Sequence, residues 1–361
     1  MNTTLVEPPE ASAVPESAFP PHRTARDAID TGQGLVRTRI AAVVAATAIT
    51  VVIALTADPS LRASIVVGMI LAIAILGNNA ITGLLGEISL STSATMAVAA
   101  FTAAHLVGEG QSIERAVLSA VALSTLVSLV IAIPTVRLHG IFAALATFAL
   151  AFSVPTMAVF LKEYTGGDNG VGFPYPSLLF GIDVSGSTTG AVLVPAVVFA
   201  VLAVVSVLVC NSTLGWTALM VGESPTAADS YGIWRTLVKV LVWTWAGLLS
   251  SIAGVLYALN LGYISPLNFE SRLGILLLVA GVVAGVRSAW GALVAGLLVG
   301  TLPPQIQDWV PATATGLVFG LVLLVALASG RDLAKWVETG IAAAVRRLGR
   351  GRTATVEESS R

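Results

Sequence analysis

Charged residues are scarce in this chain, and their scarcity excludes several classes of protein. Only 11% of the 361 residues are Asp, Glu, Lys or Arg, whereas a soluble domain carries about 25%. The composition therefore excludes an ordinary water-soluble globular protein. The formal net charge is −1, so the basic surface of a nucleic-acid-binding domain is also missing, and we expect no nucleic-acid partner.

Cysteine and histidine are also rare, which argues against disulfides and metal centres. Cys210 is the only cysteine, so no disulfide can form within the chain. His22, His105 and His139 lie far apart, and no metal-ligand spacing connects them. The sequence also lacks a phosphate-binding glycine loop and a nucleophile elbow. We therefore predict no catalytic residue, no metal and no cofactor, and the chain is not expected to be an enzyme.

Apolar segments of membrane-spanning length dominate what is present. Hydrophobic residues make up 56% of the chain, and the mean hydropathy is +0.89. A helix needs about 20 apolar residues to cross a bilayer, and the unbroken runs exclude a barrel. We therefore predict an all-α, polytopic transmembrane helical bundle. The ten candidate spans are 39–57, 63–85, 91–108, 115–134, 139–161, 189–210, 237–259, 271–286, 289–303 and 311–330.

The eighth and ninth candidate spans leave an alternative open. Both are short, and only the stretch VRSAW separates them. The alternative to ten crossings is therefore eight full spans plus one re-entrant hairpin, which changes the orientation of no other span.

The basic residues predict the orientation of the bundle. Lys and Arg concentrate on the cytoplasmic side of membrane proteins. With ten crossings and the N-terminus inside, both termini are cytoplasmic and all but four of the 19 lysines and arginines fall inside. The opposite orientation would invert this bias, so we reject it. The four basic residues that fall outside are Arg62, Arg115, Lys162 and Arg272.

The two ends of the chain differ from the apolar centre at 37–331, the predicted transmembrane domain. Residues 1–36 are polar, with five prolines and no apolar signal-peptide stretch, and we predict a disordered cytoplasmic tail. Residues 332–361 are basic, and apolar residues recur at helical spacing from Leu333 to Leu348. This second pattern is typical of an amphipathic helix on the cytoplasmic membrane surface, or of a basic stop-transfer tail.

A short polar island, VGESPTAADSYG at 221–232, interrupts the apolar runs. Ser224 suits a helix N-cap and Pro225 suits the first helical position. Gly232 suits a left-handed helix end. We therefore predict a short cytoplasmic helix, with Glu223 near the positive end of its dipole.

Ala227 and Ala228 are expected to give this short helix a slim face that another protein can approach closely. Two interpretations remain open from the residues alone. The helix is either a contact site for a soluble partner or a plain connector between two spans.

Polar residues inside the spans mark a candidate route for a solute. Almost no ionisable residue lies in mid-span, so an ion-coupled relay is not expected. Hydroxyl and amide side chains around the break between the second and third spans can give a weakly polar lining, or can serve helix packing instead. The candidate path residues are Asn78, Asn79, Ser89, Ser91, Thr92 and Ser93.

Four stretches of the chain carry a resemblance to a known family. They are GLLGEISLSTSATMAVAAFTAAHL at 83–106, TGGDNGVGF at 165–173, the segment 215–269 around the polar island, and VAGVVAGVRSAWGALVAGLL at 279–298. In this order they resemble the branched-chain amino acid permease family of ABC importers. Within 215–269, the pairs Ala-Ala and Gly-Ile and the stretch Gly-Tyr-Ile-Ser-Pro match the family's coupling segment.

The resemblance implies an inner-membrane permease subunit that does not hydrolyse ATP. It implies two ATP-binding cassette subunits inside, a second permease subunit alongside in the lipid, and a solute-binding protein outside. Loop 162–188 is expected to dock that binding protein or to form a lid. The cargo would be branched-chain amino acids or related small solutes. The residues assigned to coupling with the ATPase are Glu223, Ala227, Ala228, Asp229 and Gly232.

Departures from the family pattern leave the substrate open. Glu87 stands in place of Gln, Ser91-Thr92 in place of Gly-His, and Ala284 and Arg287 in place of glycines. The alternatives are a sugar or nucleoside permease of the same superfamily and, from a different class, a secondary carrier or channel that works alone.

Overall fold

The computed structural model describes residues 25–138, 140–173 and 177–307. Within these residues the chain is a bundle of long helices, so the predicted all-α polytopic fold is confirmed. The helices are α1 (Ala25–Thr56), α2 (Pro59–Ala80), α3 (Thr92–Gly108), α4 (Ile113–Thr135), α5 (Ile141–Phe160), α6 (Lys162–Thr165), α7 (Thr189–Cys210), α8 (Thr213–Glu223), α9 (Pro225–Ser230), α10 (Arg235–Leu261), α11 (Ser271–Ala284) and α12 (Ala289–Gln307).

Shorter elements connect the helices. A π-helical turn, Ile81–Leu85, continues α2, and 3-10 turns lie at Gly167–Asn169 and Pro266–Phe269. The described strands are two residues long: β1 (Val171–Gly172), β2 (Leu178–Leu179), β3 (Ile182–Asp183) and β4 (Tyr263–Ile264).

Nine of the ten predicted spans coincide with helices, and the tenth, 311–330, lies outside the described residues. Seven helical segments in the described part are long and apolar enough to cross a membrane. They belong to α1, α2, α4, α5, α7, α10 and α11, whereas α3 and α12 are shorter apolar helices. The choice between two full crossings and a re-entrant hairpin for α11 and α12 therefore stays open.

The predicted boundary of the N-terminal tail, at residue 36, falls inside helix α1. Helix α1 begins at Ala25, so residues 25–36 are helical. All five prolines of the tail precede residue 22, and the stretch that follows contains none of these helix breakers. Residues 1–24 and the predicted amphipathic segment 332–361 lie outside the described residues.

Helices α2 and α10 form the centre of the bundle. In an apolar stretch of 18 residues taken from each helix, about 72% is buried in α2 and 61% in α10, against 22% in α5. Between Ile65 and Gly77, helix α2 is apolar on all sides, as expected of a helix in the centre of a bundle. Small residues let α12 approach it closely, because a Cβ at Gly296 would lie 2.5 Å from the Ala72 nitrogen.

The connections divide the bundle into two ends. At the α9 end, α2 and α11 finish, α3, α10 and α12 begin, and α8 and α9 lie between α7 and α10. At the opposite end, called here the β end, loop residues Val171 and Gly172 pair antiparallel with Ile264 and Tyr263 beyond α10.

The outer-loop segment 162–188 is ordered where the structure describes it. The Phe173 amide donates to the Gly262 carbonyl at 2.8 Å, and the Asn260 amide group donates to the Gly186 carbonyl at 2.9 Å. The loop therefore packs over the end of α10, which is the geometry of the predicted lid.

Candidate coupling site and solute path

The short helix predicted in the polar island is present as α9. The Ser224 hydroxyl accepts a hydrogen bond from the Ala227 amide and Pro225 occupies the first turn. Gly232 has φ of +70°, and its amide donates to the Asp229 carbonyl at 2.9 Å. The predicted N-cap and left-handed end are therefore confirmed, and both follow from the residue types.

The face formed by Ala227 and Ala228 differs from the prediction. Ala228 is fully buried in an apolar cluster with Leu84, Val221 and Trp243, and Ala227 is half-buried. Six residues form less than two helical turns, so the helix must bury an apolar side chain to dock on the bundle. Ala228 therefore anchors α9. The exposed side chains are those of Pro225, Thr226, Asp229, Ser230 and Tyr231.

Helix α8 was missed by the sequence analysis. It carries Trp216 63% exposed on one side, whereas Ala218 and Val221 are buried on the other. Only Asn211 and Ser212 separate it from α7, so the sequence has no long polar stretch that would indicate the start of a new helix. The available signal was Ser212 before Thr213, a plausible N-cap pair.

The first of two connections from the island into the bundle runs through Arg287. Its guanidinium pairs with Glu223 at 3.1 Å, and its Nε donates to the Gly83 carbonyl at 3.0 Å. Gly83 belongs to the π-helical turn, and a Cβ at Gly222 would lie 2.7 Å from the Leu84 carbonyl oxygen. The end of α8 thus abuts the π-helical turn directly.

The second connection runs through the start of α10. Asp229 pairs with Arg235 at 2.8 Å. One turn further along α10, the Lys239 ammonium pairs with Glu87, and the Trp243 indole donates to the other oxygen of Glu87 at 3.1 Å. Glu87 and Lys239 are 11% and 14% exposed. The carboxylate that replaces the family's Gln is therefore balanced by a cation and an indole N–H.

The first connection reaches the π-helical turn, and the second reaches Glu87 in the break between α2 and α3. Of the predicted path residues, Ser89 and Ser91 lie in this break, Asn78 and Asn79 lie in α2, and Thr92 and Ser93 begin α3. Gly86 has φ of +66° and ends the π-helical turn. π-helical turns inside α-helices are frequent at functional sites. We define the break as residues 86–91.

The predicted path residues are buried, and several lack partners. Asn78 and Asn79 are 1% and 5% exposed, and neither amide nitrogen has a hydrogen-bond partner among the described residues. The same holds for the Ser93 hydroxyl, whereas Ser89 and Ser91 bond each other at 3.0 Å. Unpaired buried polar groups cost about 1–3 kcal/mol each, so these positions favour a role beyond packing.

Two cavities among the described residues are bordered by different path residues. Asn79 borders a cavity of about 50 Å³ together with Arg39 and Trp290, whereas Ser91 and Thr92 border a crevice of about 10 Å³ beside Ser128. By this measure a water needs about 10–15 Å³. The first cavity has room for a few waters and the second for about one at most, so both are too small for an amino acid.

A much larger cleft lies between α3, α4 and α5. Its volume is about 770 Å³, and side chains from all three helices line it. The cleft depends on how three helices are spaced, and no local motif in the sequence predicts that spacing.

Comparison with known proteins supplies an independent observation. A family model described as "Branched-chain amino acid transport system / permease component" matches residues 60–327. No solved structure gives a significant match.

Two curated proteins are also similar to the chain. The high-affinity branched-chain amino acid transport system permease protein LivM of Salmonella typhimurium is 28% identical over 262 residues, which are 65% of this chain and 60% of that protein. LivM of Escherichia coli K12 is 26% identical over 264 residues, with the same shares covered. The match thus spans about three fifths of the length of these relatives.

Proposed function

Because the chain belongs to the branched-chain amino acid transport system / permease component family, we propose that it is the membrane-spanning subunit of an ABC importer for branched-chain amino acids or related small solutes. It is a multi-pass protein of the inner membrane. In this proposal two ATP-binding cassette subunits hydrolyse ATP, a second permease subunit lies alongside, and a solute-binding protein delivers the cargo at the β end.

The observation that carries the coupling role is the position of α9. The positive-inside rule puts the α9 end in the cytoplasm. There α9 presents Asp229, Ser230 and Tyr231 to solvent, while buried Ala228 holds the helix on the bundle. Trp216 and Trp234 beside it are 63% and 72% exposed. Large exposed aromatic residues next to polar ones are typical of a protein–protein contact.

A displacement of α9 by the ATPase reaches the membrane through the two connections described above. Movement of Glu223 acts on the π-helical turn through Arg287 and Gly83. Movement of Asp229 acts on α10 through Arg235, and Lys239 passes the displacement to Glu87 in the break. The first input arrives at the π-helical turn that precedes the break, and the second arrives at Glu87, two residues before Ser89. ATP-driven motion there would change the width of the solute route.

Substitution of Gly232 tests the coupling role. Its φ of +70° is unfavourable for a β-branched side chain, and the strain of about 1–2 kcal/mol will displace the end of α9. We expect Gly232→Val to insert normally but to lose most ATP-driven uptake of radiolabelled leucine into vesicles that hold the assembled transporter. Uptake is compared with ATP hydrolysis in the same vesicles.

Gly110 supplies the matched control. It has φ of +88°, nothing lies within 4 Å of a Cβ placed there, and it lies in the α3–α4 turn at the β end. Gly110→Val introduces similar strain away from α9 and should keep the wild-type amount of leucine taken up per ATP hydrolysed. Equal loss in both variants would assign the effect to strain in general and would count against coupling through α9.

Co-purification with an ATP-hydrolysing subunit tests the function itself. We expect such a subunit to bind the wild-type chain and to bind less after Tyr231→Ala or Asp229→Lys. Uphill accumulation of leucine, a sugar or a nucleoside by vesicles that contain this chain alone would contradict the proposal and would identify a stand-alone carrier.

A further inference from the structure

The cleft between α3, α4 and α5 has the shape of a binding site for a small amphiphilic molecule. Its volume of about 770 Å³ is within the range of ligand pockets, about 300–1,000 Å³. The other helices cover little of α5, since only 22% of its 18-residue apolar stretch is buried. The space is therefore a gap between helices, with room for a ligand several times larger than a water molecule.

Most of the cleft wall is apolar. Phe101 from α3, Val127 from α4, and Leu150 and Met157 from α5 supply carbon surface on three sides. The Ser153 hydroxyl donates to the Ala149 carbonyl of its own helix, so it exposes little polarity. Such a wall suits an aliphatic group of a few carbons and offers little to a sugar, which needs many hydrogen-bonding partners.

The charged end of the cleft lies at the β end of the bundle. His105 Nε2 is 3.2 Å from the Glu109 carboxylate, and the ring of Tyr164 meets the His105 ring edge-on at a centroid distance of 4.6 Å. Glu109 is 56% exposed in its side chain, so it can accept a further hydrogen bond from a cation. The neighbouring Thr165 begins the loop that leads to β1.

The charge of this end distinguishes the possible occupants. The Glu109 carboxylate at the mouth attracts an ammonium group and disfavours an occupant that carries only negative charge, and the carboxylate of a bound amino acid would point away from Glu109. An aliphatic amino acid offers an ammonium for Glu109 and a branched hydrocarbon chain for the apolar wall. Its size is also far below that of a lipid tail.

We propose that the α3–α4–α5 cleft binds the transported solute as an aliphatic amino acid, with its ammonium at Glu109 and its side chain against Phe101 and Thr102. This inference rests on the proposed function, because the occupant must be cargo delivered at the β end. It also relocates the main solute site away from Asn78 and Asn79, and the small cavity beside Asn79 would then be a side space of the route.

The first test fills the cleft. In the assembled transporter, Thr102→Trp should lower leucine uptake about tenfold or more, a loss of about 1.4 kcal/mol in transport-competent binding. Leu118→Trp is the matched control, since Leu118 is 69% exposed on α4 and does not line the cleft. Its uptake should stay within about twofold of the wild type.

The second test removes the negative charge of Glu109 and keeps the size of its side chain. Glu109→Gln should raise the KM for leucine about tenfold with little change in kcat, because one charge-assisted hydrogen bond to the ammonium is weakened. Glu163→Gln removes a carboxylate at the same end but outside the cleft lining, and its KM should not change. This variant pair keeps the proposal testable if Thr102→Trp fails to fold.

A photo-reactive leucine analogue identifies the occupant directly. Crosslinks should map to peptides of α3, α4 and α5, and excess leucine should suppress them. Crosslinks elsewhere, or normal leucine kinetics in both Thr102→Trp and Glu109→Gln, would overturn the cleft site while leaving the importer function intact. Co-purified phospholipid lost from Thr102→Trp without any loss of uptake would identify a lipid site instead. An assembled wild-type complex that hydrolyses ATP but takes up no leucine would overturn the choice of substrate and the site together.

Discussion

Glu87 and Lys239 show how a single substitution can be tolerated within a membrane protein. The resemblance places Gln where this chain has Glu87, and the carboxylate is accommodated because Lys239 and Trp243 both bond it. We predict that Glu87→Gln or Lys239→Met alone lowers the free energy of unfolding by about 3–5 kcal/mol, since each leaves one buried charge unpaired. The double variant should recover most of this loss. Unfolding of the four proteins in detergent, analysed as a double-mutant cycle, measures the coupling.

The exposed pair of Asp229 and Arg235 supplies the comparison for that cycle. Their side chains are 52% and 42% exposed, so Asp229→Asn should cost no more than about 1 kcal/mol. A double variant as unstable as the single ones would mean that the Glu87–Lys239 pair does not hold the break against α10.

The crossing of α2 and α12 depends on glycine at a defined position. A Cβ at Gly296 would lie 2.5 Å from the Gly68 carbonyl oxygen and from the Ala72 nitrogen. Because backbone cannot move aside cheaply, Gly296→Ala should lower the free energy of unfolding by about 1–3 kcal/mol. Gly108→Ala makes the same change where nothing lies within 4 Å, and should be nearly neutral. Equal stability of the two variants in detergent would show that the helices are not in close contact.

The sequence alone predicts the helices well, but it does not predict how they pack together. Nine of the ten predicted spans coincide with helices because length and hydropathy are local properties. Ser224, Pro225 and Gly232 delimit α9 by their residue types. The π-helical turn was missed because apolar residues such as Ile81 and Leu84 continue the run of α2. The burial of Ala228 and the large cleft depend on packing between distant segments, which a single sequence does not record. Coupling and transport by the predicted site residues remain predictions.

The whole molecule has an asymmetry on which its function depends. In the proposed function, the α9 end faces the ATPase, and the β end, with loop 162–188 and the charged mouth of the cleft, faces the delivered solute. The basic residues predict this orientation. It brings α9 to the side of the proposed ATPase, and the two connections then link α9 to the π-helical turn and the break.

Cysteine labelling in intact cells tests that orientation. The native cysteine is first removed by Cys210→Ala, and single cysteines are then introduced as Ser230→Cys in α9 and Glu163→Cys in α6, both exposed positions. A membrane-impermeant maleimide added outside should label the Glu163→Cys protein and leave the Ser230→Cys protein unlabelled until the membrane is opened. The reverse pattern would place α9 outside, where no ATP-hydrolysing subunit could reach it, and would refute the coupling role whatever the transport assays gave.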